Sequence, residues 1–269
     1  MPQSDVPGEV TSPTQPFPAA PPALVPQRLA AEDAWGPTPE DRESCHNWIK
    51  SFRDEGIFTP PSIKGTLAVP GNLGGMTWSG YAFDPQDSLL VANTNNIPAR
   101  VRLIPREKLQ SDNEDGEYGP QRGSPYGILR RFLQSPSDLP CSPPPWGTLA
   151  AVDMTNGKIR WQVPLGTMQE FGGAHASSIP PGSISLGGPI ATAGGLIFIA
   201  GTTDSAIRAF DVETGKELWK WQLPASGNAT PMTYRLGSNG KQYLVIAAGG
   251  HPKITEESLS DALVAFTLP

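Results

Sequence analysis

The feature that most constrains this chain is an internal repeat. Residues 151–161 recur as residues 209–219, so that Ala, Asp, Gly, Lys and Trp each return at an offset of 58 residues. An offset of this length, with a strand–turn–strand pattern in each copy, predicts consecutive blades of a β-propeller. The chain is therefore expected to be all-β.

Each repeated residue has a structural role in this interpretation. Asp153 and Asp211 begin tight turns, where a carboxylate accepts backbone N–H groups. The glycine four positions later supplies a positive φ. Trp161 and Trp219 then bury a flat ring against the neighbouring blade, and we expect Trp219→Ala to cost about 3–5 kcal/mol. The repeat predicts the fold and carries no chemistry of its own.

Composition and charge further limit the class of protein to which this chain can belong. The chain has 29 Gly and 31 Pro among 269 residues, and only 17% of its residues are charged, which is typical of a turn-rich protein. Its formal charge of −6, together with the lack of a Lys/Arg cluster in the sequence, argues against a nucleic-acid partner. No apolar run reaches the roughly 18 residues of a membrane helix. Residues 1–24 have no basic start followed by an apolar core, so they do not resemble a secretory signal.

Two regions are predicted from the pattern of prolines and apolar residues. Residues 1–34 form a Pro-rich extended arm, which is either a disordered tail or a strap over a propeller face. Residues 35–269 hold the blades and one peripheral helix, with Thr38 as N-cap, Pro39 at the first helical position and Asp41 in a capping box. Cys45, Trp48, Ile49 and Phe52 form the apolar stripe of this helix.

Strands and loops alternate after the helix. Residues 104–147 are polar and Pro-rich, which predicts a long functional or covering loop. The predicted strands are residues 66–69, 88–92, 147–152, 159–165, 190–193, 196–200, 206–211, 217–223, 243–248 and 262–268.

Cysteine and histidine give no metal site. Cys45 and Cys141 are the only two cysteines, and they are either buried thiols or, in an oxidising compartment, a disulfide. His46, His175 and His251 have no second ligand at metal-site spacing. We therefore predict that no residue of this chain is a metal ligand.

The chain resembles the membrane-bound quinoprotein dehydrogenases of the glucose, quinate and polyol type, which use pyrroloquinoline quinone (PQQ). The segments that carry the resemblance span nearly the whole sequence: residues 6–9, 14–16, 55–62, 70–78, 103–106, 125–127, 186–190, 229–234 and 247–251. The repeat itself resembles the tryptophan-docking motif of these enzymes.

The resemblance implies an eight-bladed propeller that holds PQQ and a calcium or magnesium ion on its axis. It implies oxidation of a sugar, cyclitol or polyol hydroxyl, with electrons passing to membrane ubiquinone on the periplasmic side of the inner membrane. The cofactor supplies the redox chemistry and the protein orients it.

Several expected parts of such an enzyme have no counterpart here. No stretch resembles the family's catalytic Asp, its metal-binding Asp–Asn pair, the Lys that contacts the quinone, or its membrane helices. We therefore expect the last third of such an enzyme, with about three to four blades, no catalytic residue and no activity alone. The metal ligands are expected outside this chain, and the partner is the missing N-terminal blades or a separate chain that carries them.

One segment is a candidate for cofactor contact. The Gly-rich bend that holds Gly74, Gly75, Thr77 and Trp78 resembles the part of related quinoproteins that approaches PQQ, and glycines allow close backbone approach. The alternative is a Gly-rich blade corner without a ligand. Gly187 and Gly188 are a weaker candidate.

Two functions from different classes fit these observations. The first is the C-terminal segment of a PQQ-dependent dehydrogenase, from an intact, split or degenerate gene. The second is a non-enzymatic propeller scaffold that shares the repeat but binds no quinone.

Overall fold

The computed structural model describes residues 1–251 and 259–267. Within them it has one α-helix, several short 3-10 helices and fifteen strands in four antiparallel sheets. The elements are α1 (Pro39–Ser51), β1 (Thr66–Ala68), β2 (Ala82–Asp84), β3 (Leu89–Asn95), β4 (Ala99–Pro105), β5 (Glu117–Gly119), β6 (Tyr126–Phe132), β7 (Gly147–Asp153), β8 (Lys158–Pro164), β9 (Ile190–Thr192), β10 (Leu196–Ile199), β11 (Ala206–Asp211), β12 (Glu217–Gln222), β13 (Met232–Arg235), β14 (Gln242–Ala248) and β15 (Ala262–Thr267). The 3-10 helices are Ala31–Asp33, Arg106–Lys108, Gln169–Phe171 and Gly173–Ser178.

The chain divides into two compact units. Unit 1 comprises Met1–Pro18, Val25–Gly74 and Asn96–Pro143, and unit 2 comprises Ala19–Leu24, Gly75–Asn95 and Pro144–Pro269. Unit 2 holds three sheets that we call blade 1 (β2-β3-β7-β8), blade 2 (β9 to β12 in sequence order) and blade 3 (β13-β14-β15). These successive antiparallel sheets confirm the all-β, partial-propeller prediction.

The repeat builds the joint between blades 1 and 2. Trp161 lies on β8 opposite Ala151, and Trp219 lies on β12 opposite Ala209, with a register shift after each Ala. The two Trp residues thus occupy equivalent positions on the outermost strands of neighbouring blades, as predicted. The indole Nε1 of Trp161 donates to the carbonyl of Val212 at 2.9 Å, and a Cβ on Gly215 would lie only 2.5 Å from its ring. Small residues therefore make room for the ring at both ends of the contact.

Two apolar cores hold the blades together. The core between blades 1 and 2 includes Leu89, Val91, Leu149 and Ile197 around Trp161. The core between blades 2 and 3 includes Ile207, Leu244 and Ile246, with Trp219 and Phe266 packed at its margin. Both repeat tryptophans pack against a neighbouring blade as predicted, but Trp219 is only partly buried, whereas Trp161 has only 9% of its surface exposed.

Residues 96–143 correct the prediction of a long loop. The chain leaves blade 1 after β3 and returns at β7, and these two strands pair with each other along their length. The intervening segment forms β4, β5 and β6, which join β1 in a sheet of order β1-β4-β6-β5. Sequence reasoning missed these strands because β4 and β6 each carry two Arg residues, whose charge is offset by ion pairs to the acidic segment 112–117. The pairs are Arg100–Glu114, Arg102–Asp112, Arg102–Glu114, Arg130–Glu117 and Arg131–Asp115.

Helix α1 begins as predicted. The Thr38 side chain accepts from the Asp41 N–H at 3.1 Å, and the Asp41 carboxylate accepts from the Thr38 N–H at 3.2 Å. On its apolar stripe, Cys45 and Ile49 enter the core of unit 1. Trp48 does not enter it: 36% of its surface is exposed, and the Arg131 guanidinium lies 5.4 Å above its ring.

The two cysteines form a disulfide. Cys45 of α1 is bonded to Cys141, 96 positions later in the sequence, and both side chains are fully buried. The sequence left open whether the two cysteines are buried thiols or a disulfide, and the structure contains the disulfide.

Part of the Pro-rich arm lies on blade 1. The carbonyl of Leu24 accepts a hydrogen bond of 2.8 Å from the Gln162 side chain, and Ala20 lies next to Gly157. Earlier in the arm, Asp5 accepts from the Ser62 hydroxyl at 2.8 Å within unit 1. The boundary at residues 34 and 35 stays a prediction.

Candidate functional site

The Gly-rich bend runs beside the end of β3. The carbonyl of Gly75 accepts from the Asn95 N–H at 2.8 Å, and Met76 forms an antiparallel bridge with Thr94. By this register Thr77 lies opposite Asn93. The bend is thus an additional extended segment along a blade strand, and its neighbours are the polar residues at the end of that strand.

These neighbours are buried polar residues that sequence reasoning missed. Asn93, Thr94 and Asn95 are each exposed by 1% or less. The signal was present: an apolar strand over residues 89–92 runs directly into four polar residues, 93–96. Polar side chains at a buried strand end need partners, which makes such a run a candidate binding element.

Asn95 uses its side chain to fix blade 2 against this strand. Its amide accepts from the Ser185 N–H at 2.9 Å and donates to the Ser185 carbonyl at 3.0 Å. Gly188, a weaker candidate in the sequence, lies close against Ser79, because a Cβ there would collide with the carbonyl oxygen of Ser79. Asn95 on β3 and Ser79 just after the bend therefore both contact the segment that leads into blade 2.

Two buried polar atoms at the bend have no hydrogen-bond partner among residues 1–251 and 259–267. They are the hydroxyl of Thr77 and the side-chain oxygen of Asn93, whose amide nitrogen donates to the Ser185 hydroxyl at 3.2 Å. An unsatisfied buried polar atom costs about 1–3 kcal/mol. Two such atoms lie on residues that stand opposite each other, so both a bound ligand and a packed corner remain open as explanations of the bend.

Trp78 differs sharply in exposure from the tryptophans of the repeat, Trp161 and Trp219. It is 94% exposed, directly after buried Thr77. Gly74, the remaining candidate, has a φ of +74° and belongs to unit 1, whereas Gly75, Thr77 and Trp78 belong to unit 2.

The acidic residues of the repeat are turn residues, as predicted. Asp153 accepts from the hydroxyl and N–H of Thr155, and these bonds together with nearby Arg160 lower the pKa of Asp153 to about 2. Hydrogen bonds from Thr214 likewise lower the pKa of Asp211. Carboxylates with lowered pKa values remain ionised at neutral pH and are poor general bases. Among the described residues, no group of three or more His, Cys, Asp and Glu side chains could hold a metal ion.

Comparison with known proteins identifies the family. Residues 1–244 match the model of the PQQ glucose/ethanol/alcohol dehydrogenase β-propeller domain. The chain belongs to this family.

Curated quinoproteins match over nearly the whole chain. The probable quinate dehydrogenase (quinone) of Xanthomonas campestris pv. juglandis is 39% identical over 277 residues, or 99% of this chain and 35% of its own length. The quinoprotein glucose dehydrogenase of Escherichia coli K12 is 39% identical over 100% of this chain and 35% of its length. The glycerol dehydrogenase large subunit of Gluconobacter oxydans is 38% identical over 284 residues, which cover 98% of this chain and 38% of that protein. The chain spans about a third of these relatives, in their C-terminal part.

A solved structure shares the fold. The quinohemoprotein alcohol dehydrogenase of Comamonas testosteroni is 25% identical, with a TM-score of 0.52, and the similarity covers 76% of this chain and 27% of that one.

The donor and acceptor groups of the bend fit the chemistry of PQQ. PQQ is a planar quinone whose carboxylates and carbonyls accept hydrogen bonds and whose pyrrole N–H donates one. The unpartnered Thr77 hydroxyl can donate, the unpartnered Asn93 oxygen can accept, and exposed Trp78 offers a flat ring. The carbonyl of Gly75 is already used by Asn95.

Proposed function

We propose that this chain is the C-terminal propeller segment of a PQQ-dependent dehydrogenase that oxidises a hydroxyl of a sugar, cyclitol or polyol and passes the electrons to membrane ubiquinone. The observation that carries the proposal is the 39% identity to quinone-linked glucose and quinate dehydrogenases across the whole chain. PQQ would be the hydride acceptor, and this chain would form part of the PQQ-binding site.

Within that binding site we assign a role to each residue at the bend. Thr77 and Asn93 hold polar groups of the cofactor through their unpartnered atoms, and the ring of Trp78 excludes water from one side of it. Gly74 and Gly75 let the backbone approach. The general base and the calcium or magnesium ligands come from the part of the protein outside residues 1–269.

The compartment proposed is the periplasmic side of the inner membrane. The Cys45–Cys141 disulfide supports it, because such bonds persist in oxidising compartments. In the described part of the chain, no helix has both the length and the apolar character needed to cross a bilayer.

The cofactor contact is tested with a matched substitution. Thr77→Val keeps the shape of the side chain and removes the unpartnered hydroxyl. We expect the variant to be as stable as the parent, since an unsatisfied polar atom is lost, but to bind PQQ about five- to tenfold more weakly in the complex with the upstream blades. Thr94→Val is the control: its hydroxyl is bonded to Thr148 at 2.8 Å, so it should lower stability more than PQQ affinity.

Activity is tested on the chain alone and in that complex. Alone, with PQQ and calcium, we expect no dye-linked oxidation of glucose, quinate or glycerol. In the complex we expect PQQ-dependent turnover of one of them. A complex that binds no PQQ would instead favour the non-enzymatic propeller scaffold.

A further inference from the structure

A short part of the Pro-rich arm lies on blade 1, and we call these residues, 19–24, the strap. The strap belongs to unit 2, whereas the arm on either side of it belongs to unit 1. Ala20 lies against Gly157 in the turn between β7 and β8: a Cβ on Gly157 would be 3.2 Å from the Ala20 Cβ. Gly215, the equivalent glycine of blade 2, receives the Trp161 ring instead. The strap therefore uses a turn on blade 1 that corresponds to the tryptophan-docking turn of blade 2.

The strap is held by few contacts. Residues 19–23 are exposed, and Pro21 and Pro22 have no N–H to donate. Within residues 1–251 and 259–267, the strap makes one hydrogen bond, from the Gln162 side chain to the Leu24 carbonyl at 2.8 Å. A segment with so few buried contacts undocks more often than a core strand does. The strap is thus an element with two states, docked and undocked.

The Gln162 side chain connects the strap to the interior of blade 1. Its amide nitrogen donates to the Leu24 carbonyl and also to the Thr148 hydroxyl on β7, each at 2.8 Å. The Thr148 and Thr94 hydroxyls share a further hydrogen bond of 2.8 Å, and these two residues lie directly opposite each other in the pairing of β7 with β3. Thr94 is 1% exposed and Thr148 is 8% exposed. A chain of hydrogen bonds thus runs from the exposed edge of the blade to a buried residue of β3.

This chain of hydrogen bonds ends beside the bend of the candidate site. Thr94 forms the bridge with Met76, and the next residue, Asn95, donates its N–H to the Gly75 carbonyl at 2.8 Å. Hydrogen bonds in a chain polarise and strengthen one another, so the bond that orients the Gln162 amide also supports the bond between the two threonines. The contacts that hold the bend along β3 therefore depend on a side chain that the strap orients.

We propose that Gln162 is a positioning residue that couples docking of the strap to the position of the bend, through Thr148 and Thr94. With the strap docked, both N–H groups of the Gln162 amide have acceptors and the bend is held along β3. With the strap undocked, the exposed Gln162 side chain leaves the Thr148 hydroxyl, and the bend opens more often. This proposal rests on the proposed function only for the identity of the ligand at the bend.

Amide exchange of the full chain without PQQ measures the coupling. The reporter is the Asn95 amide, whose acceptor is the Gly75 carbonyl. In one variant the strap is replaced by a Gly/Ser segment of the same length, which lacks the prolines that keep it extended. In the other, Gln162→Leu removes both donors. We expect exchange of the reporter amide to be about three- to fivefold faster in each variant, because one hydrogen bond of the chain is lost.

Gln222→Leu is the matched control. Gln222 lies on the outermost strand of blade 2, and its amide donates to the carbonyls of Asp204 and Ser205 at 2.9 and 3.1 Å. Its loss should leave exchange of the Asn95 amide unchanged. Equal acceleration in the control and in Gln162→Leu, or no acceleration in Gln162→Leu, would overturn the proposal.

Two substitutions of Thr148 separate positioning from packing. Thr148→Val keeps the shape of the side chain and removes the hydroxyl, whereas Thr148→Ser keeps the hydroxyl and removes the methyl group. Positioning predicts fast exchange of the Asn95 amide in the Val variant and nearly parental exchange in the Ser variant, and packing predicts the reverse. In the Thr148→Val background, replacing the strap should add less than about twofold, because the chain of hydrogen bonds is already interrupted. Additive effects would contradict the coupling.

The consequence for the cofactor is measured in the complex with the upstream blades, with PQQ as the probe. Gln162→Leu leaves Thr77 and Asn93 unchanged, so we expect PQQ to bind and to leave about three- to fivefold faster while its affinity changes less than about twofold. Unchanged rates would overturn the effect of the strap on cofactor binding. A complex that binds no PQQ but shows the expected exchange of the Asn95 amide retains the coupling and counts against the proposed function.

Discussion

Trp161→Ala tests the physical basis of the blade repeat. The ring is 9% exposed, lies against Gly215 and donates one hydrogen bond of 2.9 Å to the Val212 carbonyl. Removing a buried Trp costs about 3–5 kcal/mol. About 1 kcal/mol of this is the hydrogen bond, so Trp161→Phe should cost less than the Ala variant while keeping most of the apolar contact.

The effect is expected to be local to blades 1 and 2. Because the chain divides into two units, one unfolding transition is not guaranteed, and a global midpoint is a poor readout. Amide exchange in β8 and in the turn that includes Val212 and Gly215 measures the joint directly. Exchange there should accelerate in Trp161→Ala far more than exchange in α1 of unit 1.

Two other Trp-to-Ala substitutions provide reference values for the effect of Trp161→Ala on stability. Trp78→Ala removes a ring that is 94% exposed and should change stability by less than about 0.5 kcal/mol. Trp219→Ala should fall between the two, because its ring is partly buried. If Trp161→Ala and Trp78→Ala have the same exchange rates in the blade 2 turn, Trp161 is not a docking residue and the repeat has another cause.

Three further predictions concern the disulfide and the buried carboxylates. Cys45→Ser should lower the stability of unit 1 by about 2–5 kcal/mol, measured by urea unfolding, and a reducing agent should shift the parent by the same amount and the variant not at all. Asp204→Asn should cost about 3 kcal/mol, because it leaves the nearly buried Arg208 guanidinium with one carboxylate fewer. Glu217→Gln, whose partly exposed carboxylate lies 3.1 Å from Arg208, is the control and should cost less than about 1 kcal/mol. Burial acts to raise the pKa of Asp204, but hydrogen bonds and the charge of Arg208 outweigh it and lower that pKa, so its contribution is present above about pH 4 and is lost as pH falls through the lowered value. Acid titration of the unfolding free energy should therefore show a smaller decrease in Asp204→Asn than in the parent, and identical curves would contradict this assignment.

Local chemistry determined much of the fold from sequence alone. The Asp–Gly turn and the Trp four residues after the Gly recur because a hairpin of this type needs a carboxylate acceptor and a positive φ, at Asp211 and Gly215 for example. The N-cap of α1 at Thr38 was equally readable, since its hydrogen bonds involve residues only three positions apart. These features depend on neighbours in sequence, which a single sequence displays.

Contacts between distant residues were decided only by the tertiary structure. Pairing of β3 with β7 across residues 96–146 cannot be read from either strand, so the inserted sheet appeared as a loop. The burial of Asn93 and its opposition to Thr77 depend on where the bend returns along β3. Trp161 and Trp219 have the same local pattern yet different burial, because burial depends on contacts with the next blade, such as those that Val212 and Gly215 make with Trp161. The repeat determines the local geometry of each blade, and the contacts with the neighbouring blade determine how far its tryptophan is buried.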